Sequence, residues 1–466
     1  MLSIFDGEQG ISRRRLLTMG SLGLGGLALP TLYAAGGSGD SESNPVTGRS
    51  VIFLFQQGGP SQFETFDPKL DIPLGNRTMG GVIPTTIPGV TFGSTMRRLA
   101  RLAHKLTIVR SFHTKNSGHN IKPIVGEHSL EANIGTHYSR VAGSTHPLTG
   151  MPTNAVIFPR TVNSEVPGPS ARGNLASTGP YGKGYTPFVP GAGGQLQEDM
   201  KLRLDRTRND TRRQLLSQLD RLNRKADTGG QLDGLDKLQG QAYELILGGG
   251  VSKALDLSRE DPHTLKRYDT SAYAKKGHWN KVSRGRKGYY CAQAATVGPL
   301  LLLARRLCEA GCGFVTIHAG YEGVWDMHAD GNNLNMIDGM EAVGRSFDHA
   351  VSAFVEDVED RGLEDRIMLV ATGEMGRTPK INKNGGRDHW ARLAPLLLYG
   401  GGLEGGRIIG RSDRQGGEPA VDGCDPSHLI STILHTVFDP GKLRIKPDAP
   451  REVLALSEKP PIPGIF

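Results

Sequence analysis

RIMLVATGEMGRTPKINKNGGRDHWARLAPLLLYGGG (Arg366–Gly402) carries two apolar runs, RIMLVA and LAPLLLYGGG, with a polar stretch of nineteen residues, Thr372 to Trp390, between them. Continuous apolar runs bounded by glycine suit strands buried on both faces. A plain connection between elements takes about four to six residues. This one holds an acid, two arginines, an Asp-His-Trp triplet and four glycines, so it is expected to carry function rather than only to connect.

Working outward, further strands are expected at SVIFLFQQ (50–57), LTIVR (106–110), NAVIFP (154–159) and CGFVTIHA (312–319). Helical spacing marks 198–225, 294–310 (ending before Gly311, a C-terminal cap), 337–360 and 427–438, where Ser427 is the expected N-cap. Strand, polar loop and helix alternate through the second half. This pattern predicts an α/β fold with a large, mainly parallel sheet and helices on both faces. Ligands of such sheets sit beyond the carboxyl ends of the strands. Four polar clusters fall there: 56–65, 113–120, 318–328 and 374–389.

Within those clusters Asp326 and His328, with His318 nearby, offer the carboxylate and imidazole donors that zinc and similar ions take. His389 is a natural third ligand, and Asp388 could ligate or orient an imidazole. A buried Asp-His hydrogen-bond network without metal stays open beside that reading. Glu374 is a candidate base or ligand, while Arg377 and Arg387 could clasp an anion in bidentate fashion or serve as structural ion-pair partners. Ser117, with Ser111 and Thr114 in the same loop and His113 and His119 alongside, could supply a nucleophile and its base. GGPSQ (58–62) could turn backbone N–H groups toward an anion or be a tight turn only. GCDPSH (423–428) resembles the C-x-P-S-R motif of sulfatases, but His428 replaces the arginine. It reads as a helix start, and no formylglycine is expected.

The chain has 466 residues, 22% charged and 37% hydrophobic, with a formal net charge of +8. That balance favours anionic partners, yet no nucleic-acid motif accompanies it. Four scattered cysteines exclude a disulfide framework and a paired-cysteine zinc site. SRRRLLTMGSLGLGGLALPTLYAAG (12–36) reads as a twin-arginine export signal over residues 1–35, followed by a linker over 36–49. The expectation is a protein carried out by the twin-arginine machinery, periplasmic or secreted, with no membrane span once the signal is cleaved. Residues 50–466 are expected to form one domain, with a Gly/Pro-rich and helical excursion at about 160–260.

The twin-arginine start, FQQGGPSQFETFDPKL, LLARRLCEAGCGFVTIH with WDMH, DVEDRGLEDRIMLVATGEMGRTPKINKNGGRDHW and LYGGGLEGGRIIGRSD together resemble one exported family, domain-of-unknown-function family fifteen-oh-one. That family is similar to the alkaline phosphatase and sulfatase superfamily. The resemblance implies an alkaline-phosphatase-like sheet with a metal centre, Asp326, His328 and His389 in one metal site and Ser117 near the nucleophile loop. Gln57 stands where the first strand supplies an aspartate, and Glu374-Met375 replaces an Asp-His pair, so a second metal is not implied. The resulting expectation is a metal-assisted hydrolase of phosphate or sulfate esters using one zinc, manganese or calcium, with Ser117, His119 and Glu374 catalytic. The alternative is a non-catalytic binding protein for an anionic small molecule or polysaccharide.

Overall fold

Every residue of β1 (Ser50–Phe55) from Val51 onward is buried, and alternate side chains enter two different cores. Val51, Phe53 and Phe55 go to one, Ile52 and Leu54 to the other. A strand dressed this way needs cover on both faces, which is why its apolar run is continuous. The computed structural model describes residues 44–190, 250–274 and 282–466. The expected export signal lies outside them apart from a two-residue pairing of Phe5–Asp6 with Gln9–Gly10. Most of the expected linker and the helix expected at 198–225 also lie outside the described residues.

The remaining strands of the main sheet are β2 (Thr107–Val109), β3 (Asn154–Ile157), β4 (Phe314–His318), β5 (Ile367–Thr372), β6 (Leu396–Gly400) and β7 (Arg407–Ile409). Their spatial order is β7-β2-β6-β5-β1-β4-β3. β6 runs antiparallel to both its neighbours and every other pairing is parallel. The fold is therefore α/β with a mainly parallel sheet, as expected. β7 (Arg407–Ile409) was not expected from the sequence: it is a short edge strand, only half-buried and opened by an arginine, so it carries no continuous apolar run.

On one face lie α2 (Arg284–Glu309) and α3 (Arg345–Asp360), which bury Leu300–Leu303, Leu307, Phe347, Val351 and Phe354. α3 is entered from Met336–Gly339 through a π-turn over Met340–Gly344. On the other face lie α1 (Ile134–Ala142) and α4 (Pro426–Val437), which contribute Ile134, Tyr138, Leu429, Ile433 and Leu434. The expected cap Ser427 is corrected to Asp425, whose carboxylate accepts from the Ser427 N–H at 2.9 Å. Pro426 is the first helical residue, where its missing N–H costs nothing. Among the described residues no helix is long and apolar enough to cross a membrane.

The stretch after β5 is not an irregular loop. Gly376–Ile381 pairs antiparallel with Arg387–Trp390, so the nineteen residues fold back as a hairpin that sets Arg377 opposite His389. The carboxyl ends of β1, β2, β4 and β5 then open on one region.

Candidate metal centre

Asp326 lies in the loop after β4, close against Gly58 at the end of β1. A Cβ on Gly58 would fall 2.6 Å from the Trp325 nitrogen, and the residue sits at φ +119°, so only glycine lets these two strand ends meet. Glu374 follows β5 and is fully buried. Both its oxygens accept the Gly58 N–H, at 2.9 and 3.1 Å. The GGPSQ turn thus presents an N–H to an anion supplied by the protein itself. The loop after β2 is fastened to the same place: Thr114 Oγ1 donates to the Glu374 carbonyl at 2.7 Å, and the Lys115 N–H donates to the Ala391 carbonyl at 2.9 Å. This brings His119 over the strand ends.

Asp326 is the hub. Its Oδ2 meets His119 Nε2 at 2.9 Å and His328 Nε2 at 2.8 Å. Its Oδ1 meets His389 Nε2 at 3.1 Å and receives Arg377 Nη2 at 2.7 Å. Burial alone would raise the Asp326 pKa, but hydrogen bonds from the three histidines and the charge of Arg377 hold it far below the usual carboxylate range. Burial opposes charge on His119 as well; its bonds to Asp326 and Glu374 outweigh that and raise it to about 9. The bond to Asp326 raises His328 against a smaller effect of burial.

The far ring nitrogens are more telling. His119 Nδ1 lies 2.9 Å from Glu374 Oε1, and His389 Nδ1 lies 2.8 Å from the Ser117 carbonyl. Each acceptor requires an N–H at Nδ1. A neutral imidazole then has only a lone pair at Nε2, and on both rings that atom faces a carboxylate oxygen of Asp326. Either both rings are protonated twice, or a cation lies between the lone pairs and the carboxylate. The ligand atoms of His119, Asp326 and His389 all lie within 4.8 Å of one another. Two imidazoles locked by acceptors at Nδ1, plus one carboxylate, form the donor set of a three-ligand divalent site with a position left open. The residues present fit a metal.

The sequence expectations fare unevenly. Asp326 and His389 come together as expected, but their third partner is His119, expected as a base, while His328 stands one bond outside this group. Asp388 does not join it. On a strand successive side chains point to opposite faces, so Asp388 is exposed beside Asn382 while its neighbour His389 points inward. His318 is fully buried with Nε2 against Gln57 Oε1 at 2.9 Å, and burial lowers it to about 4, which keeps it neutral. Ser117 contributes its carbonyl to His389.

Arg377 and Arg387 are both fully buried. Arg377 donates to the Gly59 carbonyl at 2.8 Å, to the Arg387, Trp325 and Gly58 carbonyls and to Asp326. Arg387 stacks on Phe63 with its Cζ 4.2 Å from the ring centroid, bonds Glu64 Oε1 and meets the backbone carbonyls of Arg77, Asn76, Thr378 and Pro379. The expected anion clasp is therefore corrected: these guanidiniums are consumed inside the protein, where they fix Asp326 and the hairpin. Gly58, Gln62 and Glu64 were missed as supports; FQQGGPSQFETF held the signal in its small and polar residues directly after an apolar strand.

Over residues 48–449 the chain matches the family described as protein of unknown function, DUF1501. No curated protein matches it. Among solved structures it is similar to a sulfatase from Pseudoalteromonas sp., at 11% identity and TM-score 0.36 over 85% of this chain and 68% of that one. It is also similar to a phosphonate monoester hydrolase from Silicibacter pomeroyi, at 10% identity and TM-score 0.29 over 84% and 74%. A third is the TAB5 alkaline phosphatase, in a mutant form with magnesium bound, at 14% identity and TM-score 0.25 over 76% and 92%.

Proposed function

The chain belongs to the DUF1501 family, and we propose that it is an exported, metal-assisted hydrolase of phosphate or sulfate esters. The observation that carries this reading is the convergence of His119 Nε2, His389 Nε2 and Asp326 on one point, with each imidazole held at Nδ1 by an acceptor of the protein. His119, Asp326 and His389 would hold one divalent ion. When bound, such an ion supplies a Lewis acid for an ester oxygen and for water.

The residues of the chain do the positioning. Glu374 fixes the His119 ring, and the Ser117 carbonyl fixes His389. Arg377 seats Asp326 Oδ1 and supplies a permanent charge next to it. His328 is half-buried and bonded to Oδ2. The rim formed by exposed Ser117 and Gly118 leaves the cluster approachable from solvent. Export rests on the arginine-led N-terminal stretch and not on the fold.

The runner-up, a binding protein for anionic polysaccharide without turnover, drew its sequence support from Arg377 and Arg387, and their burial removes that support. The test is hydrolysis of aryl phosphate and aryl sulfate esters by the metal-loaded protein and by His389→Ala and His119→Ala. Turnover in the parent, lost in both variants while they remain folded, is the expected result. Equal residual activity in all three proteins would dismiss the hydrolase reading.

A further inference from the structure

With Arg377 and Arg387 consumed in the interior, cations able to meet a charged ligand must be sought elsewhere. A groove of about 640 Å³ runs between residues 68–72 and the small hairpin of Arg411–Ser412 with Pro419–Val421. That is the size of a small-ligand site. Lys69, Leu70, Asp71, Arg411, Asp413 and Arg414 are among its lining residues. Lys69 is paired with Asp67 at 2.9 Å. Arg411 and Arg414 are exposed, and among the described residues neither guanidinium is engaged by a carboxylate or another hydrogen-bond acceptor. Asp413 spends one oxygen on the Gly417 N–H at 2.7 Å.

This wall is joined to the metal-ligand cluster by direct bonds. The Gly416 carbonyl accepts from Gln62 Nε2 at 3.3 Å, Gln62 Oε1 accepts the Arg377 N–H at 2.9 Å, and Arg377 holds Asp326. The next carbonyl, Gly417, accepts the indole N–H of Trp390 at 2.6 Å, and Trp390 adjoins His389. The segment that lines the groove therefore also braces both arms of the cluster.

We propose that this groove binds a flanking part of a sulfated or phosphorylated saccharide chain, with Arg411 and Arg414 each meeting an oxyanion and Asp71 accepting hydroxyl protons. Guanidiniums are suited to sulfate and phosphate groups because two parallel N–H donors match two oxygens. The carboxylates of Asp71 and Asp413 favour a ligand that mixes anionic groups with hydroxyls over a nucleic acid or an acidic peptide, whose unbroken negative charge they repel. The biological sense of the groove rests on the ester-hydrolase reading; its binding chemistry is measured separately.

The experiment titrates dextran sulfate, phosphorylated dextran, unmodified dextran and a single-stranded DNA oligonucleotide against the full chain and an R411A/R414A double variant. The full chain is expected to bind one or both charged dextrans, with unmodified dextran inert. The double variant should bind at least about 10-fold more weakly, with a flatter salt dependence, since two charge-assisted contacts are lost. Binding unchanged in the double variant, tighter binding of DNA than of either charged dextran, or no binding by the parent overturns the proposal. Arginine-dependent binding without any ester turnover would leave the groove standing and remove only the hydrolase reading.

Discussion

Two buried polar clusters in this molecule look alike and are built on opposite principles. In the first, fully buried Arg305 bonds Asp357 at 3.0 Å, Glu260 at 2.9 Å and Glu309, while Arg306, Arg361 and the Tyr268 hydroxyl complete the acceptors. Three guanidiniums face three carboxylates, every donor is permanent, and the network closes by itself. In the second, Asp326 and Glu374 meet one arginine and three imidazoles. Two of those rings have acceptors at both nitrogens, so the cluster is complete only with a second proton on each ring or with a cation. A closed network welds helices together. An open one is prepared for something that arrives from outside.

Breaking the open cluster should have the largest effect. Asp326→Asn removes the shared carboxylate and should abolish stoichiometric metal and lower ester turnover by more than about 100-fold, because second-shell losses alone cost 10- to 100-fold. Metal analysis and kinetics on the purified variant check this, and retention of both would erase the distinction between the clusters. Asp357→Ala is the mirror experiment. It takes one of three carboxylates from buried Arg305 and the acceptor from the buried Tyr268 hydroxyl, and should cost about 3–5 kcal/mol of stability with metal content unchanged, as read by denaturant unfolding and mass spectrometry. If instead it stripped the metal, the two networks would have to be coupled.

Glu374→Gln sharpens the contrast further. It keeps the shape and the Gly58 contact but weakens the lock on His119, so metal affinity should fall about 10- to 100-fold without loss of fold. A competition titration with a chelator would show it; affinity equal to the parent would mean that Glu374 is structural.

The smallest effect concerns a buried carboxylate of intermediate kind. Asp348 accepts the Arg98 and Leu99 N–H groups at the start of a short helix and has no ion-pair partner among the described residues. Burial raises its pKa from 3.8 to about 6 in spite of those bonds. A carboxyl with a raised native pKa binds its proton more tightly when folded, so its contribution is full below about 4 and lost as pH rises through 6. Asp348→Asn should flatten that segment of the stability curve between pH 4 and 6. An unchanged slope would mean that the carboxyl titrates normally.

Much of the sheet was written in the sequence because strands buried on both faces must be apolar throughout. IMLVA and VIFLF admit hardly any other reading. The convergence of four polar segments followed from the strand-end rule. Pair chemistry within the site did not follow. Adjacent Asp388 and His389 look like joint ligands on paper, yet strand alternation sends them to opposite sides. Arg377 and Arg387 look like anion binders until their burial is known, and burial depends on Gly58, Gly59, Glu64 and Phe63 from a segment more than three hundred residues earlier. His119 was read as a base because its distance to His389 depends on how the loop after β2 docks on Glu374.

Zinc, manganese and calcium content of the exported, purified protein, measured by mass spectrometry beside His119→Ala and His389→Ala, tests the open-cluster account most directly. The prediction is about one tightly held divalent ion per chain in the parent and none in either variant, with both variants folded. A parent protein that exports, folds and retains no stoichiometric ion would contradict it, and would mean that His119 and His389 carry their second protons as a closed ionic network like that around Arg305.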